Sequence, residues 1–390
     1  MSTNPAIPVG AAWSSPFAKW GGSLAEVSSL ELAASVTRAA LLRCDLEPTC
    51  FDSLVLGWTV PQPDIFYGAP ALATGIGAAG LSGSMVSQAC ATSVAALRTA
   101  AHQVRSGAAD KVLTVLTDRT SNGPLMIYPQ PGASGGAPAT EHWVLDSFAR
   151  DPSTGQSMLA TAEAVATEEG IDRAELDDVT ALRFSQYAAR PSELAHTVAV
   201  SVPRRKSSIE LSEDEGVLLS TREQLGALRP AASDGLHSFA AQTHPADGAA
   251  GAVVASVEQA RELARGEGVA ELLGFGEARV EPARMPKAPV PAAARALKAA
   301  GLSSSDVDLV ATHNPFAVND VFFARQTGFA LDRMNVYGCS LVFGHPQAPT
   351  GMRAIAELIT ALHQRGGGIG LFTGCAAGDI GAAVVVRVTD

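Results

Sequence analysis

The chain has 390 residues, of which 47% are hydrophobic and only 17% are charged. That balance is typical of a large α/β protein with a well-buried core, and it excludes extended disorder. The formal net charge of -11 disfavours nucleic acid and anionic membranes as partners, because both attract basic surfaces. A phosphate-bearing small ligand remains compatible with this charge, since a few arginines or helix N-termini can bind it.

The cysteine pattern predicts a reducing environment and no structural metal. The five cysteines are Cys44, Cys50, Cys90, Cys339 and Cys375. No CxxC pair occurs, so no zinc site is expected, and an odd set of thiols in a long chain is typical of a cytoplasmic protein. The first residues, 1–5, have neither a basic region nor an apolar signal core. No run approaches the roughly twenty apolar residues that cross a bilayer, so we expect a soluble, cytoplasmic protein without membrane partners.

The first part of the chain alternates between helices and short apolar strands, as in layered α/β folds. Helices are predicted at residues 29–42 and 91–106, and strands at 51–59 and 111–116. Gly107 stands where the second helix should end. Cys90 immediately precedes that helix, where the helix dipole and free backbone N–H groups are expected to lower the pKa of a thiol.

The middle of the chain, from about residue 120 to 246, has a different texture. A stretch rich in Gly, Pro and Ser is followed by amphipathic helices predicted at 158–169 and 176–189, which indicates a large insertion. The α/β texture then resumes, with strands predicted at 251–256, 307–312, 370–373 and 382–388 and helices at 290–300 and 351–365. Both ends of the chain have the same order of elements: a helix, a strand, a turn of small residues that contains Cys or His, and another helix. We therefore predict a duplicated core.

Three side chains indicate the type of reaction that the protein catalyses. His345 lies in Gly344-His345-Pro346, Cys375 follows about thirty residues later beside small residues, and Cys90 lies far upstream in a similar setting. Two thiols and an imidazole suit carbon–carbon bond chemistry on thioesters, with one thiolate carrying the acyl group and another group moving a proton at the α-carbon. Their separation along the chain is no objection, because such sites are assembled in space.

Further motifs make the chain resemble the thiolase family over nearly its whole length. In chain order they are Pro16-Phe17, Gly22-Ser23-Leu24, Cys90, Met158, Thr161-Ala162-Glu163, Ser185-Gln186, Asp247-Gly248-Ala249-Ala250, Met285-Pro286, Asp306-Val307-Asp308, Asn335-Val336-Tyr337-Gly338, Gly344-His345-Pro346 and Gly374-Cys375. The resemblance implies a duplicated five-layered α-β-α-β-α core with an inserted loop domain. The implied N-terminal half comprises residues 1–118 and 249–270, the CoA-binding loop domain 119–248, and the C-terminal half 271–390.

The resemblance also implies a catalytic set. Cys90 would carry the acyl group, His345 would accept its proton, and Cys375 would act as base or acid at the α-carbon. The backbone N–H groups of Cys90 and Ala377 would bind the thioester oxygen. His313 stands where the commoner thiolases have Asn, as in the sterol-carrier-protein-type thiolases, and is expected to donate to the enolate oxygen.

The substrate implied by the resemblance is an acyl-CoA. Met158, Thr243, Met285 and Phe316 are the expected CoA contacts, with no permanently bound cofactor and no metal. A homodimer or homotetramer is implied, and a small accessory protein is left open. Among the departures from the family, Asp379 beside the Cys375 loop is expected to raise the pKa of that thiol or to reposition the loop.

Two alternatives stay open at the level of sequence. The first is a decarboxylating β-ketoacyl synthase-type condensing enzyme, which uses one Cys with His-His or His-Asn and takes a malonyl donor. The second cysteine argues against it, and His313 argues for it. The other alternative is a catalytically impaired thiolase-like scaffold within an acyl-CoA complex.

Overall fold

Strands and helices alternate along most of the chain, as the sequence predicts. The structure, a computed structural model, describes residues 4–389. Residues 1–3, which contribute to the prediction that the chain has no signal sequence, and residue 390 lie outside the described part. The strands are β1 Pro5–Pro8, β2 Ala12–Ser14, β3 Ala18–Lys19, β4 Ser53–Gly57, β5 Gly83–Val86, β6 Lys111–Arg119, β7 Leu125–Tyr128, β8 Ala139–His142, β9 Val200–Pro203, β10 Ser208–Leu211, β11 Ala246–Ser256, β12 Val269–Arg279, β13 Leu309–His313, β14 Gly368–Ala376 and β15 Ile380–Thr389. The α-helices are α1 Ser29–Arg43, α2 Gly68–Gly75, α3 Thr92–Ser106, α4 Leu145–Ala149, α5 Met158–Glu168, α6 Arg173–Ala188, α7 Arg222–Gly226, α8 Val257–Ala264, α9 Pro289–Ala300, α10 Ala317–Thr327, α11 Ser340–Phe343 and α12 Ala348–His363.

The main sheet consists of two similar halves. One half has the strand order β5-β4-β6-β11-β1, and the other β12-β15-β14-β13; β1 pairs with both β11 and β12 and so joins them. In each half a middle strand, β6 or β14, pairs in parallel with an earlier strand of the same half, β4 or β13. The same middle strand pairs antiparallel with the next strand of the main sheet, β11 or β15. This repeated connectivity confirms the predicted duplication.

Two helices fill the space between the halves. Helices α3 and α12 pack against each other and against strands of both halves. Every residue of α12 from Ala348 to Leu362 is buried, as a central layer requires. Helices α1 and α2 cover the outer face of the first half, and α9 covers that of the second, which gives the predicted α-β-α-β-α layers. Among residues 4–389, no helix is both long and apolar enough to cross a membrane.

Local signals explain where the helices begin and end. Ser28 caps α1 by accepting a hydrogen bond from the backbone N–H of Glu31, and α3 ends at Gly107 with φ of 72°. A left-handed residue at that position costs glycine little, because glycine has no Cβ. Helix α12 begins at Ala348, three residues before the predicted start at 351.

The segment between β6 and β11 projects from the first half. It contains helices α4 to α7 and two small hairpins, β7–β8 and β9–β10. Its buried ion pairs reach the core: Asp214 with Arg353 of α12 at 2.6 Å, and Arg183 with Asp320 of α10 at 2.8 Å. Because Arg119 pairs with Asp247 in the β6–β11 ladder, the ends of the predicted segment 119–248 belong to core strands. The CoA-binding role of this segment stays a prediction.

Candidate active site

Cys90 and His345 meet at the ends of the two central helices. Cys90 lies just before α3, as predicted, and His345 lies just before α12. The sulfur of Cys90 is 3.1 Å from Nε2 of His345. Nδ1 of the same ring is 2.6 Å from the hydroxyl of Thr350, which fixes the orientation of the imidazole. With Nδ1–H donated to Thr350, Nε2 keeps a lone pair facing the thiol.

His313 joins this pair from the end of β13. Its ring stacks on that of His345, with centroids 4.1 Å apart and an angle of 26° between the planes. Nδ1 of His313 is 3.2 Å from the hydroxyl of Ser340, which in turn donates to Oδ1 of Asn314 at 3.3 Å. That hydroxyl has one proton, so Nδ1 of His313 is the donor and Nε2 carries the lone pair in the neutral ring. Nε2 is buried and has no partner among the described residues. Direct donation to an enolate oxygen therefore requires His313 to take up a proton first.

Cys375 lies one residue before the end of β14 and is 1% exposed. Its sulfur accepts a hydrogen bond from Nδ2 of Asn319 on α10 at 3.3 Å. Burial, followed by the proximity of Cys90, raises the pKa of the Cys375 thiol. The preceding residue, Gly374, allows β14 to approach β13, because a Cβ there would be 2.8 Å from Cβ of His313. The fold thus brings Cys90, His345, His313 and Cys375 into one neighbourhood.

Burial sets the resting protonation of this site. It raises the pKa of the Cys90 thiol to about 12, although backbone N–H groups of Ala377 and Cys90 itself donate toward the sulfur and act in the opposite direction. The expected lowering by the helix start is therefore wrong in direction, because desolvation outweighs the dipole. Burial lowers the pKa of His313 to about 3 and that of His345 well below its ordinary value, the latter helped by His313. The resting site holds neutral thiols and neutral imidazoles.

A cavity of about 650 Å³ opens onto the Cys90 sulfur. All four predicted CoA contacts, Met158, Thr243, Met285 and Phe316, line it, together with Cys90, His345 and Ala377. His313 and Cys375 lie behind this wall, both 1% exposed. A larger cavity of about 890 Å³ surrounds His196 and Arg353 and contains none of the predicted site residues.

The same cluster is poorly arranged for a metal ion. Ligand atoms of Cys90, His313 and His345 lie within 4.8 Å of one another, which is the donor set that zinc prefers. The two imidazole planes are nearly parallel, however. Lone pairs in nearly parallel stacked planes do not converge on one tetrahedral ion. The geometry thus favours proton transfer over metal binding.

Three residues at the site were missed by the sequence predictions: Gln347, Asn319 and Asp118. Oε1 of Gln347 is 3.3 Å from the Cys90 sulfur, and Asn319 contacts Cys375 as described above. The buried carboxylate of Asp118 accepts hydrogen bonds from the backbone N–H groups of Thr59, at 2.8 Å, and Ala348, at 2.9 Å. An acidic residue two positions after the apolar strand 111–116, and an amide directly after Gly344-His345-Pro346, are the signals that could have identified two of them.

Asp379 has one of its two expected effects, the one on the pKa of the Cys375 thiol. It is among the causes that raise the pKa of Cys375, although burial and Cys90 come first. Its carboxylate also accepts hydrogen bonds from the backbone N–H groups of Ala283 and Arg284 at 3.0 and 2.9 Å. These bonds fix the turn after Cys375 against the segment that carries Met285.

A thiol beside an imidazole, with a second thiol close by on a duplicated α/β core, is an arrangement suited to acyl transfer. Residues 8–258 match the thiolase N-terminal domain, and residues 267–388 match the thiolase C-terminal domain. The chain therefore belongs to the thiolase family and is a thiolase-type acyltransferase.

Known proteins of this family are similar over almost the full length. An acetyl-CoA acetyltransferase of Escherichia coli (strain K12) is 32% identical over 94% of this chain and 95% of its own length. A 3-ketoacyl-CoA thiolase of Yersinia enterocolitica is 30% identical over 96% and 94%. The crystal structure of a Bacillus anthracis acetyl-CoA acetyltransferase superposes with a TM-score of 0.90 at 26% identity, covering 99% of both chains. Human mitochondrial 3-ketoacyl-CoA thiolase in complex with CoA superposes with a TM-score of 0.89 at 25% identity, covering 100% of this chain and 98% of its own.

Proposed function

We propose that this enzyme catalyses thiolysis of a 3-oxoacyl-CoA and its reverse, the Claisen condensation of two acyl-CoAs, through an acyl group on Cys90. The observation that carries the proposal is the 3.1 Å contact between the Cys90 sulfur and Nε2 of His345 at the wall of an open cavity. The similarity to acetyl-CoA acetyltransferases and 3-ketoacyl-CoA thiolases supports the substrate class.

In the first half-reaction Cys90 becomes acylated. Because burial favours the neutral thiol and the neutral imidazole, the proton moves from sulfur to Nε2 of His345 as the sulfur attacks the thioester carbon. Backbone N–H groups of Cys90 and Ala377, which already point at the sulfur, hold the developing oxyanion. Each such donor is typically worth about 3–4 kcal/mol in the transition state. The proton on His345 then leaves with the thiolate of CoA.

In the second half-reaction Cys375 moves the α-proton of the second acyl-CoA. The Asn319 amide stabilises its thiolate, which burial otherwise disfavours. His345 and His313 face the place where the enolate oxygen forms. The proton that leaves Cys375 as its thiolate forms moves to one of these rings, which then donates to that oxygen through Nε2, and His313 keeps its Nδ1–H on Ser340 meanwhile.

The cavity is the proposed seat of CoA. Thr243 and Met158 come from the inserted segment, and Met285 and Phe316 come from the C-terminal half, so both halves contribute to its wall. No permanently bound cofactor enters this scheme, because both half-reactions use only thiols, an imidazole and the CoA thioester. We place the enzyme in the cytoplasm on its unpaired thiols.

We also propose that the enzyme is a homodimer. Strand β5 lies at one edge of the main sheet, and residues Gly83 to Met85 are exposed. The neighbouring Phe66 and Tyr67 are 79% and 67% exposed. An unpaired strand edge beside exposed aromatic side chains suits a second copy of the same surface. Light scattering in solution tests this arrangement.

Intact-protein mass spectrometry after incubation with acetyl-CoA and with longer acyl-CoAs tests the catalytic proposal. We expect an acyl adduct on Cys90 that a second acyl-CoA or free CoA discharges, and none in Cys90→Ser. Binding of acyl-CoA without any adduct would indicate the scaffold alternative instead and would overturn the proposal.

A further inference from the structure

Gln347 adopts a backbone conformation that side chains rarely take. Its φ is 66° and its ψ is -106°, and it immediately precedes α12. A non-glycine residue in this region is strained, and such residues persist only where the surroundings hold them. The strain places the side chain, 6% exposed, against the nucleophile, with Oε1 3.3 Å from the Cys90 sulfur.

A buried carboxylate holds this strained segment in place. Asp118, at the end of β6, accepts hydrogen bonds from the backbone N–H groups of Thr59, Val60 and Ala348. Ala348 directly follows Gln347, so its backbone is anchored on the opposite half of the molecule. Loss of that anchor would allow Gln347 to relax away from Cys90.

His345, the proposed proton acceptor, needs a partner that stabilises its protonated form. When His345 takes the thiol proton it becomes a buried cation, which desolvation and the nearby rings of His313 and His244 disfavour. Its Nδ1 partner is the neutral hydroxyl of Thr350. A hydrogen bond with Gln347 acts in the opposite direction and favours the protonated ring.

We propose that the carboxamide oxygen of Gln347 stabilises the imidazolium of His345 during proton transfer from Cys90, as a third catalytic side chain of the nucleophile. This role rests on the proposed acylation of Cys90. One proton moves from sulfur to Nε2, and no other bond changes. For the transfer the single S–H proton turns from Oε1 to Nε2, and afterwards Oε1 faces the N–H of a cation in place of a weak S–H donor. Because a charge-assisted bond is roughly twice as strong as a neutral one, the exchange favours the ion pair.

Alkylation of Cys90 by iodoacetamide tests this role without acyl-CoA. The variants are Gln347→Met, which keeps the length and removes the acceptor, and Gln347→Glu, which keeps an acceptor and adds an anion. Rates would be followed by mass spectrometry of the Cys90 peptide from about pH 6 to about pH 9, which brackets the ordinary pKa values of imidazole and thiol. Cys90→Ser shows whether any other thiol contributes to the signal, and melting temperatures report on folding.

We expect Gln347→Met to be alkylated about tenfold more slowly than the wild type, in line with loss of one charge-assisted hydrogen bond. Gln347→Glu should react at least as fast as the wild type and remain reactive at lower pH. Wild-type rates in a folded Gln347→Met, or a Gln347→Glu as slow as Gln347→Met, would overturn the inference. If Gln347→Met does not fold, the inference stands only if Gln347→Glu is alkylated at least as fast as the wild type. Absence of acylation by acyl-CoA would refute the proposed function. The alkylation result would still stand, because the alkylation measurement uses no acyl-CoA.

Discussion

The two halves of the core use the same position for different purposes. Asp118 is the residue before the last in β6, and Cys375 is the residue before the last in β14. Each strand end faces the central helix of the opposite half: Asp118 accepts from the backbone N–H of Ala348 at the start of α12, and Ala377 donates toward Cys90 at the start of α3. One copy of the duplicated position holds an anchoring carboxylate, and the other holds the proposed base.

The connections after these strands differ just as clearly. After β6 the chain leaves the core for residues 120–245, and that segment supplies Trp143, Met158 and Thr243 to the cavity. After β14 the chain turns at once, through Gly378 and Asp379 with φ of 83° and 62°. A long connection forms a binding surface, whereas a tight turn fixes backbone N–H groups beside the nucleophile. In the proposed mechanism, substrate binding and chemistry are thus divided between equivalent loops.

Replacing the reactive strand end should have the largest effect. Cys375→Ala removes the proposed base, so thiolysis and condensation should fall by about 10³-fold, within the range for general bases. Acylation of Cys90 should continue, because it uses His345 and not Cys375. Steady-state kinetics together with mass spectrometry of the acyl adduct would show the two steps separate, with Cys339→Ala as a control that removes a different buried thiol.

The same variant distinguishes the decarboxylating alternative. A β-ketoacyl synthase-type mechanism needs no second cysteine, and Cys90, His313 and His345 would form its Cys-His-His set. Full activity of Cys375→Ala with a malonyl thioester would therefore contradict the thiolase assignment of Cys375.

Replacing the anchoring strand end should mainly affect stability. Asp118→Ala leaves three backbone N–H groups without an acceptor, that of the half-buried Thr59 and those of the buried Val60 and Ala348. At about 1–3 kcal/mol for each buried unsatisfied group, we expect the free energy of unfolding to fall by at least about 2 kcal/mol. Asp118→Asn is the matched control, because its carbonyl oxygen still accepts and should retain part of the stability. Chemical denaturation measures both, and equal stability of Asp118→Ala and the wild type would show that the anchor is dispensable.

The sequence predicts the proposed reactive residues far better than the residues that hold them in place. Cys90, His345 and Cys375 lie in small-residue turns with recognisable neighbours, and the predicted helices and strands coincide closely with the structure because periodicity and capping are local. Asp118 and Gln347 have only weak local signals, because the partners that give them a role, Ala348 and Cys90, lie in the opposite half of the chain. The pKa of Cys90 was predicted in the wrong direction for a related reason: the helix start is visible in sequence, whereas the depth of burial is a property of the packed core.

The smallest expected effect concerns Asp379, which lies in the turn after β14 and affects the pKa of the Cys375 thiol. Its negative charge raises the pKa of the Cys375 thiol, so the thiolate forms only at higher pH. Asp379→Asn removes the charge and keeps one acceptor for the backbone N–H groups of Ala283 and Arg284. The pKa of the thiol should fall, and the rising limb of the pH–rate profile for condensation should move to lower pH by less than about one unit, as befits the smallest of several causes. Glu281→Gln, a neutralised carboxylate at an exposed site nearby, should leave the profile unchanged. A shift to higher pH in Asp379→Asn would mean that the turn positions Cys375 by geometry and that its charge is incidental.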